Sequence, residues 1–254
     1  MKGPNMTLPD LVLVHGGEHA GDCWDLVVDE IRREAPELRT LAVDLPGHGR
    51  KPGDLATCTI AEWVDSVVAD IEDARLGDLV IVGHSMAGVT VPGVVTKLGS
   101  SRVREMILAT AFVPPQGSTI ADTLGGPLAM FARRAARIGR PMKIPAPAAR
   151  WAFCNGMTPV QRRLAMSKLH AESARIPGEP VDRSGLPADI PRSWILTTRD
   201  RALSVASQHA SIAALGGVDT VIPIDACHEL MFSHPERLAQ ILIKRCRLRE
   251  VNVT

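Results

Sequence analysis

Short runs of apolar, largely β-branched residues alternate along this chain with longer stretches whose apolar positions recur every three to four residues. The first pattern suits buried strands and the second amphipathic helices, and their alternation marks βαβ units in a parallel sheet. Residues 11–15 read as a strand, followed by a glycine turn and a helix over 24–33. Residues 39–43 form the next strand, ending in the loop Asp44-Leu45-Pro46-Gly47-His48-Gly49-Arg50. A helix over 59–74 carries Ile60, Trp63, Val64, Val67, Val68 and Ile71 on one face. Thr59 suits its N-cap, with Glu62 three residues on to complete a capping box. Strand 78–82, helix 86–98 and strand 103–111 continue the alternation.

The pattern then breaks. From Pro114 to Pro187 there is no strand-like run, and Pro and Gly are frequent. A helix is expected over 128–138, with Leu128, Phe131, Ala135 and Ile138 on one face. Another is expected from Thr158 and Pro159, a good N-cap and first helical residue. Alternation resumes with strand 193–197, helix 204–215, strand 220–224 and a last helix over 235–246. The expected architecture is therefore an α/β core, residues 1–113 and 188–254, with a mostly parallel sheet flanked by helices. Residues 114–187 are expected as a helical cap inserted over one end of that sheet.

Composition narrows the function classes. A length of 254 residues suits one such domain. The net charge of +1 gives no field that would favour nucleic acid or an anionic membrane, so neither is expected as a partner. No apolar run reaches the roughly 18 residues of a membrane span, and the stretch after Asp10 is too short for a signal-peptide core. A cytoplasmic protein acting on a small molecule is the expectation, with no statement on oligomeric state. The cysteines, at 23, 58, 154, 227 and 246, lie in no CxxC or zinc-ligand spacing, so neither a disulfide framework nor a metal is expected. Cys227, beside His228, is read as an incidental thiol.

The strongest chemical signal is Gly83-His84-Ser85-Met86-Ala87-Gly88, with a strand before it and a helix after. A serine at a sharp strand-to-helix turn is pushed out of the sheet, and small flanking residues let the backbone make that turn. Ser85 is the expected nucleophile. Acyl transfer also needs two N–H donors converging on an oxyanion. The residue after the nucleophile, Met86, would supply one, and Gly17 in His15-Gly16-Gly17 the other. His15 itself is read as structural. A general base belongs after the last strand, where Asp225-Ala226-Cys227-His228 places His228. The acid that orients it belongs after the preceding strand, where Asp200 lies. Neither a metal nor a cofactor is implied by this set.

With these residues in place, the chain resembles the α/β-hydrolase superfamily over essentially its full length. Within it, the resemblance is to the hydroxynitrile lyases and plant methyl esterases, including the salicylate- and alkaloid-ester types. It rests on Leu11-Val12-Leu13-Val14-His15-Gly16 with Trp24 nearby, on Val82-Gly83-His84-Ser85-Met86-Ala87-Gly88, and on Ala109-Thr110-Ala111-Phe112-Val113-Pro114. The resemblance implies an α/β-hydrolase fold and a Ser-His-Asp triad. Relatives that open epoxides use an Asp nucleophile and Tyr donors, and this chain has no Tyr. The lyases resemble one another in a Thr after the first-strand His and a Lys after the catalytic His. Gly16 and Glu229 stand there instead, and both changes favour hydrolysis.

Residues 114–187 hold 11 Lys and Arg against 4 Asp and Glu, read as a solvated basic face, with attraction of an anionic substrate as the rival. Met130, Phe131, Met142, Trp151, Phe153, Met157 and Met166 offer an apolar, adaptable lining. Of these, Met130, Phe131, Trp151, Phe153 and Met157 are the expected substrate-binding residues. The expected function is hydrolysis of a fairly bulky, apolar ester through a serine acyl-enzyme. A lyase or acyltransferase on the same triad, and a ligand-binding receptor with negligible turnover, are the alternatives.

Overall fold

The apolar runs of the sequence pair into a six-stranded, all-parallel sheet. The computed structural model describes residues 6–125, 129–130, 134 and 138–252. In chain order the strands are β1 (Met6–Thr7), β2 (Asp10–Val14), β3 (Thr40–Val43), β4 (Leu79–His84), β5 (Val103–Ala109), β6 (Arg192–Thr197), β7 (Thr220–Ile224) and β8 (Val251–Asn252). The sheet order is β3-β2-β4-β5-β6-β7, while β1 and β8 pair antiparallel as a separate ribbon. That ribbon is absent from the sequence reading, because two-residue strands are too short to show a period.

Helices cover both faces of the sheet. Leu11 and Leu13 join Val80, Val82, Ile107 and Ile195 in a cluster on one face, under α1 (Asp25–Glu34). Val12 and Val14 join Leu79, Ile81, Met106 and Trp194 on the other, under α2 (Ile60–Asp73) and α3 (Val91–Leu98). Because both faces are buried, the central strands read as continuous apolar runs rather than alternating ones. Each such side chain removed from water contributes about 1.5–3 kcal/mol. The expected capping box closes: Glu62 N donates to Thr59 Oγ1 at 3.1 Å, and Thr59 N donates to Glu62 Oε2 at 2.8 Å. The helix expected as continuous over 86–98 is split into a single 3-10 turn, Ser85–Gly88, and α3. The turn packs directly onto the segment that follows β5, since a Cβ on Gly88 would lie 2.3 Å from the Phe112 carbonyl oxygen.

Between β5 and β6 run about eighty residues without a strand of the main sheet among those described. They contain α4 (Ile120–Thr123), α5 (Ala146–Phe153) and α6 (Pro159–Ser167). Thr158 caps α6 as expected, accepting from Gln161 N at 3.3 Å. The helix expected over 128–138 falls largely outside the described residues. This connection has apolar anchors in both core clusters. Ala149, Ala152, Cys154, Met157 and Leu169 join one, and Ile120, Ile176 and Val181 the other. The chain then closes with α7 (Val205–Ala214), α8 (Leu230–Ser233) and α9 (Pro235–Arg247), the last packed beside α1.

The topology creates the site. After β2 the chain moves outward to β3, then returns to β4 on the other side of β2. Loops leaving β2 and β4 therefore diverge, which opens a crevice at the carboxyl ends of these strands. Gly16 and Ser85 sit at that point.

Candidate active site

Ser85 follows β4 directly, in the left-handed region at φ 51°. A non-glycine residue held there costs on the order of 1–3 kcal/mol and persists only where the surroundings fix it. The fixing contacts are tight. A Cβ on Gly83 would come 2.8 Å from Val91 Cγ2, so no larger residue fits before the turn. On the far side the Ser85 carbonyl accepts from Phe112 N at 2.9 Å. The hydroxyl is thereby aimed out of the sheet.

A chain of hydrogen bonds leads away from it. Ser85 Oγ lies 2.8 Å from His228 Nε2, and His228 Nδ1 lies 2.7 Å from Asp200 Oδ2. His228 sits on the loop after β7, and Asp200 on the loop after β6. All three are buried. With Nδ1–H donating to the carboxylate, Nε2 is left to accept from the serine hydroxyl. The Asp200 carboxylate accepts on both oxygens. Oδ1 takes Ala202 N and Leu203 N, each at 2.7 Å, and Oδ2 takes the hydroxyls of Thr197 and Thr110. Burial would raise its pKa, but the His228 ring and these donors outweigh burial and hold it below the usual carboxylate value. For His228, burial favours the neutral ring, yet the Asp200 charge and hydrogen bond outweigh it and raise the pKa. Thr110 is the residue the sequence reading missed here. It sits at φ 39° after β5, where no acid stands, and its hydroxyl supports the acid contributed from β6.

Two neighbouring histidines, His15 and His84, are hydrogen-bonded to backbone groups. His15 Nε2 accepts from Leu45 N at 3.1 Å, so its proton is on Nδ1, which donates to the Gly16 carbonyl at 2.8 Å. His15 thus ties the loop after β3 to the glycine loop, as expected. His84 Nε2–H donates to the His228 carbonyl at 3.0 Å. Burial, then repulsion from other histidines, lowers the pKa of both. The glycine loop itself lies directly on the nucleophile, since a Cβ on Gly16 would be 2.7 Å from Ser85 Cβ. Gly17 faces Met86, its own Cβ position being 3.3 Å from Met86 Cε. Met86 is the second residue of a 3-10 turn, where N–H groups have no partner within the helix.

Ser85, Met86, Gly17 and His228 line a cavity of about 110 Å³. Its apolar wall includes Phe112, Ile120, Leu124, Met142, Ile144 and Phe153. Phe153 stacks on the His228 ring, with centroids 5.4 Å apart. The other expected lining residues are placed elsewhere. Met157 is buried in the core cluster rather than in the cavity wall. Trp151 is 54% exposed, on the outer side of α5, with the Arg201 guanidinium over its ring. Met130 is exposed, and Phe131 lies outside the described residues. Helical phase decides the split within α5: two residues along, the chain turns from solvent at Trp151 to the site at Phe153.

Polar residues of the wall went unpredicted. They are Glu18, Glu172, Ser173 and Glu229. Among the described residues no Lys or Arg lines the cavity, so the described cations of 114–187 lie outside it. Burial, together with Glu172 and Glu229, pushes the Glu18 carboxyl up to about 8, against the lowering effect of the Ile144 N–H and Lys143. Glu229 is buried, its Oε2 3.6 Å from His19 Nε2. The five cysteines are free and buried, and burial pushes the Cys227 thiol up to about 11. His84, His228 and Glu229 are close enough to share a cation, but His228 Nε2 already accepts from Ser85.

The chain belongs to the alpha/beta hydrolase family, whose model matches residues 11–241. It is a hydrolase. Over 252 residues it is 27% identical to a pyrethroid hydrolase of Sphingobium wenxiniae, covering 93% of this chain and 87% of that protein. Its fold is similar to that of an extracellular alpha/beta-hydrolase from a Paenibacillus species, with a TM-score of 0.83 at 22% identity, covering 93% of this chain and 98% of the other. The Arabidopsis methylesterase MES16 has a TM-score of 0.73 at 18% identity, covering 95% of this chain and all of that one, 100%. The resemblance to the plant methyl esterase group therefore holds at the level of fold. Among the described residues, no helix is long and apolar enough to cross a membrane.

Proposed function

We propose that this chain hydrolyses a fairly bulky, apolar carboxylic ester through a Ser85 acyl-enzyme. The observation that carries the reading is the hydrogen-bonded series Asp200, His228, Ser85, ending inside an apolar cavity. Ser85 Oγ attacks the ester carbonyl carbon while His228 Nε2 takes its proton. The carbonyl oxygen becomes an oxyanion, held by the N–H groups of Gly17 and Met86. His228 then gives the proton to the departing alcohol oxygen, leaving the acyl group on Ser85. Water, deprotonated by His228, attacks that acyl carbon; the bond to Ser85 Oγ then breaks, Oγ takes the proton back from His228, and the acid leaves. Asp200 holds the ring and stabilises its charged form. Residues 114–187 act as a cap that supplies the upper wall.

The wall supports an apolar substrate. Phe112, Ile120, Leu124, Met142, Ile144 and Phe153 face it, and carboxylates rather than cations supply its charge. The described cations of the cap, none of which lines the cavity, give no support to attraction of an anionic substrate. The relative named a pyrethroid hydrolase points towards ester cleavage as well.

The test is labelling with a fluorophosphonate probe, in the wild type and in Ser85→Ala, followed by assay of aryl and methyl esters in water enriched in heavy oxygen. Labelling confined to the wild type, with one solvent oxygen in the acid product, is expected. Acid product without solvent oxygen would mean that the bond between the alcohol carbon and the ester oxygen breaks, which excludes an acyl-enzyme released by water. A folded wild type that resists the probe would remove Ser85 as an activated nucleophile.

A further inference from the structure

The glycine loop is clasped from the β5–β6 connection at one residue, Glu18. This residue lies in the left-handed region, at φ 60°. Its N–H donates to Glu172 Oε2 at 2.9 Å, and its carbonyl accepts from His170 N at 2.6 Å. Its carboxyl oxygen Oε1 accepts from Ile144 N. Three atoms of a single residue beside Gly17 are thus bonded to the connection.

Glu172 is the fixed end of this clasp. Its backbone pairs with Met142 in both directions, at 2.8 and 3.0 Å. Its Oε1 accepts from Ser173 N at 2.6 Å, and Oε2 also accepts from His48 Nε2 at 3.2 Å. A Cβ on Gly17 would lie 3.4 Å from Glu172 Oε2, so this oxygen packs against the bend of the loop itself. A left-handed residue stays in place only through its surroundings. The Gly17 N–H lies one Cα away from the Gly17–Glu18 peptide, whose N–H Glu172 holds, so fixing that peptide restricts where the Gly17 donor can point.

We infer that Glu172 is a positioning residue for the glycine loop: its carboxylate holds the Glu18 N–H and so aims the Gly17 N–H, without touching the reacting atoms. The inference rests on the reading of Ser85 as nucleophile and Gly17 as oxyanion donor.

The test compares Glu172→Ala and Glu172→Gln with Lys168→Ala. Lys168 also ties the connection to the core, at Asp22 and Asp25, 2.8 and 3.3 Å away, but it does not line the cavity. The readouts are the phosphonylation rate of Ser85 by a fluorophosphonate, and kcat and KM for 4-nitrophenyl butyrate. Glu172→Ala is expected to slow phosphonylation and lower kcat by roughly tenfold or more, with KM within about threefold. Glu172→Gln still offers an oxygen to Glu18 N and should recover most of the rate, while Lys168→Ala stays near wild type. Should Glu172→Ala not fold, Glu172→Asp takes its place, since it withdraws the carboxylate by one methylene and should show the same loss. The inference is overturned if the variant stays within about twofold of wild type, if KM rises at constant kcat, or if Lys168→Ala loses as much. A wild type that is not labelled at all would instead overturn the reading of Ser85 on which this one rests.

Discussion

Gly16 shows at the scale of one residue how close the backbone of the site comes to its own chemistry. Its missing Cβ would sit 2.7 Å from Ser85 Cβ and 3.0 Å from the His84 carbonyl oxygen, neither of them a flexible side-chain end. A Thr at this place, as in the lyases that the sequence resembles, would need a differently placed loop. It is more than a change of side chain. Gly16→Ala should therefore push the glycine loop away from Ser85 by a substantial part of an ångström. The expected result is a fall in kcat of about 100-fold, with the fold retained by circular dichroism and melting. A kcat within a few-fold of wild type would show that the loop moves freely or that Gly17 takes no part. The meeting of Ser85, His228 and Asp200 could be read from the sequence because each follows a strand whose apolar run is unambiguous. Thr110 could not, because its role depends on an acid that arrives from the neighbouring strand.

At the scale of elements, strands and caps were legible wherever the pattern was local. Thr59 with Glu62 and Thr158 with Gln161 both form the reciprocal bonds of a capping box. Glu105 was not legible. It lies in β5 with no exposure, and its carboxylate accepts from Arg245 Nε at 2.9 Å, Arg249 Nε at 3.0 Å and the Ser193 hydroxyl at 2.6 Å. Its partners come from 88 to 144 residues further along the chain, so no window of sequence reveals the cluster. The cluster joins β5, β6 and the end of α9, at a distance from Ser85 along the strands. Glu105→Ala would leave two guanidinium groups without their common acceptor, one of them in a buried helix residue. The expected cost is about 3–5 kcal/mol of stability, measured by urea unfolding, with kcat for the remaining folded enzyme unchanged. A loss under about 1 kcal/mol would mean that water replaces the carboxylate there.

The whole molecule is joined across the cavity by groups whose charge changes with pH. The connection reads in sequence only as a loss of alternation, since its helices are short and its apolar residues are shared out between the two core clusters. What holds it to the core is therefore partly polar, and Glu18 is central to that. Its carboxyl is raised from 4.5 to about 8, first by burial and then by the charges of Glu172 and Glu229, against the Ile144 N–H and Lys143. Between these two values the folded chain holds a proton that the unfolded chain has released. Stability must then fall as pH rises through that window, because the native state binds more protons than the unfolded one. The contribution is fully present below the unfolded value and is lost as pH passes about 8. Glu18→Gln keeps an oxygen for Ile144 N and cannot ionise. Relative to wild type it should gain melting temperature steadily between about pH 5 and about pH 9, opening a difference of roughly 5 °C. Parallel melting curves for the two proteins over that range would show that Glu18 releases its proton at the same pH folded and unfolded, and so is not raised in the native state.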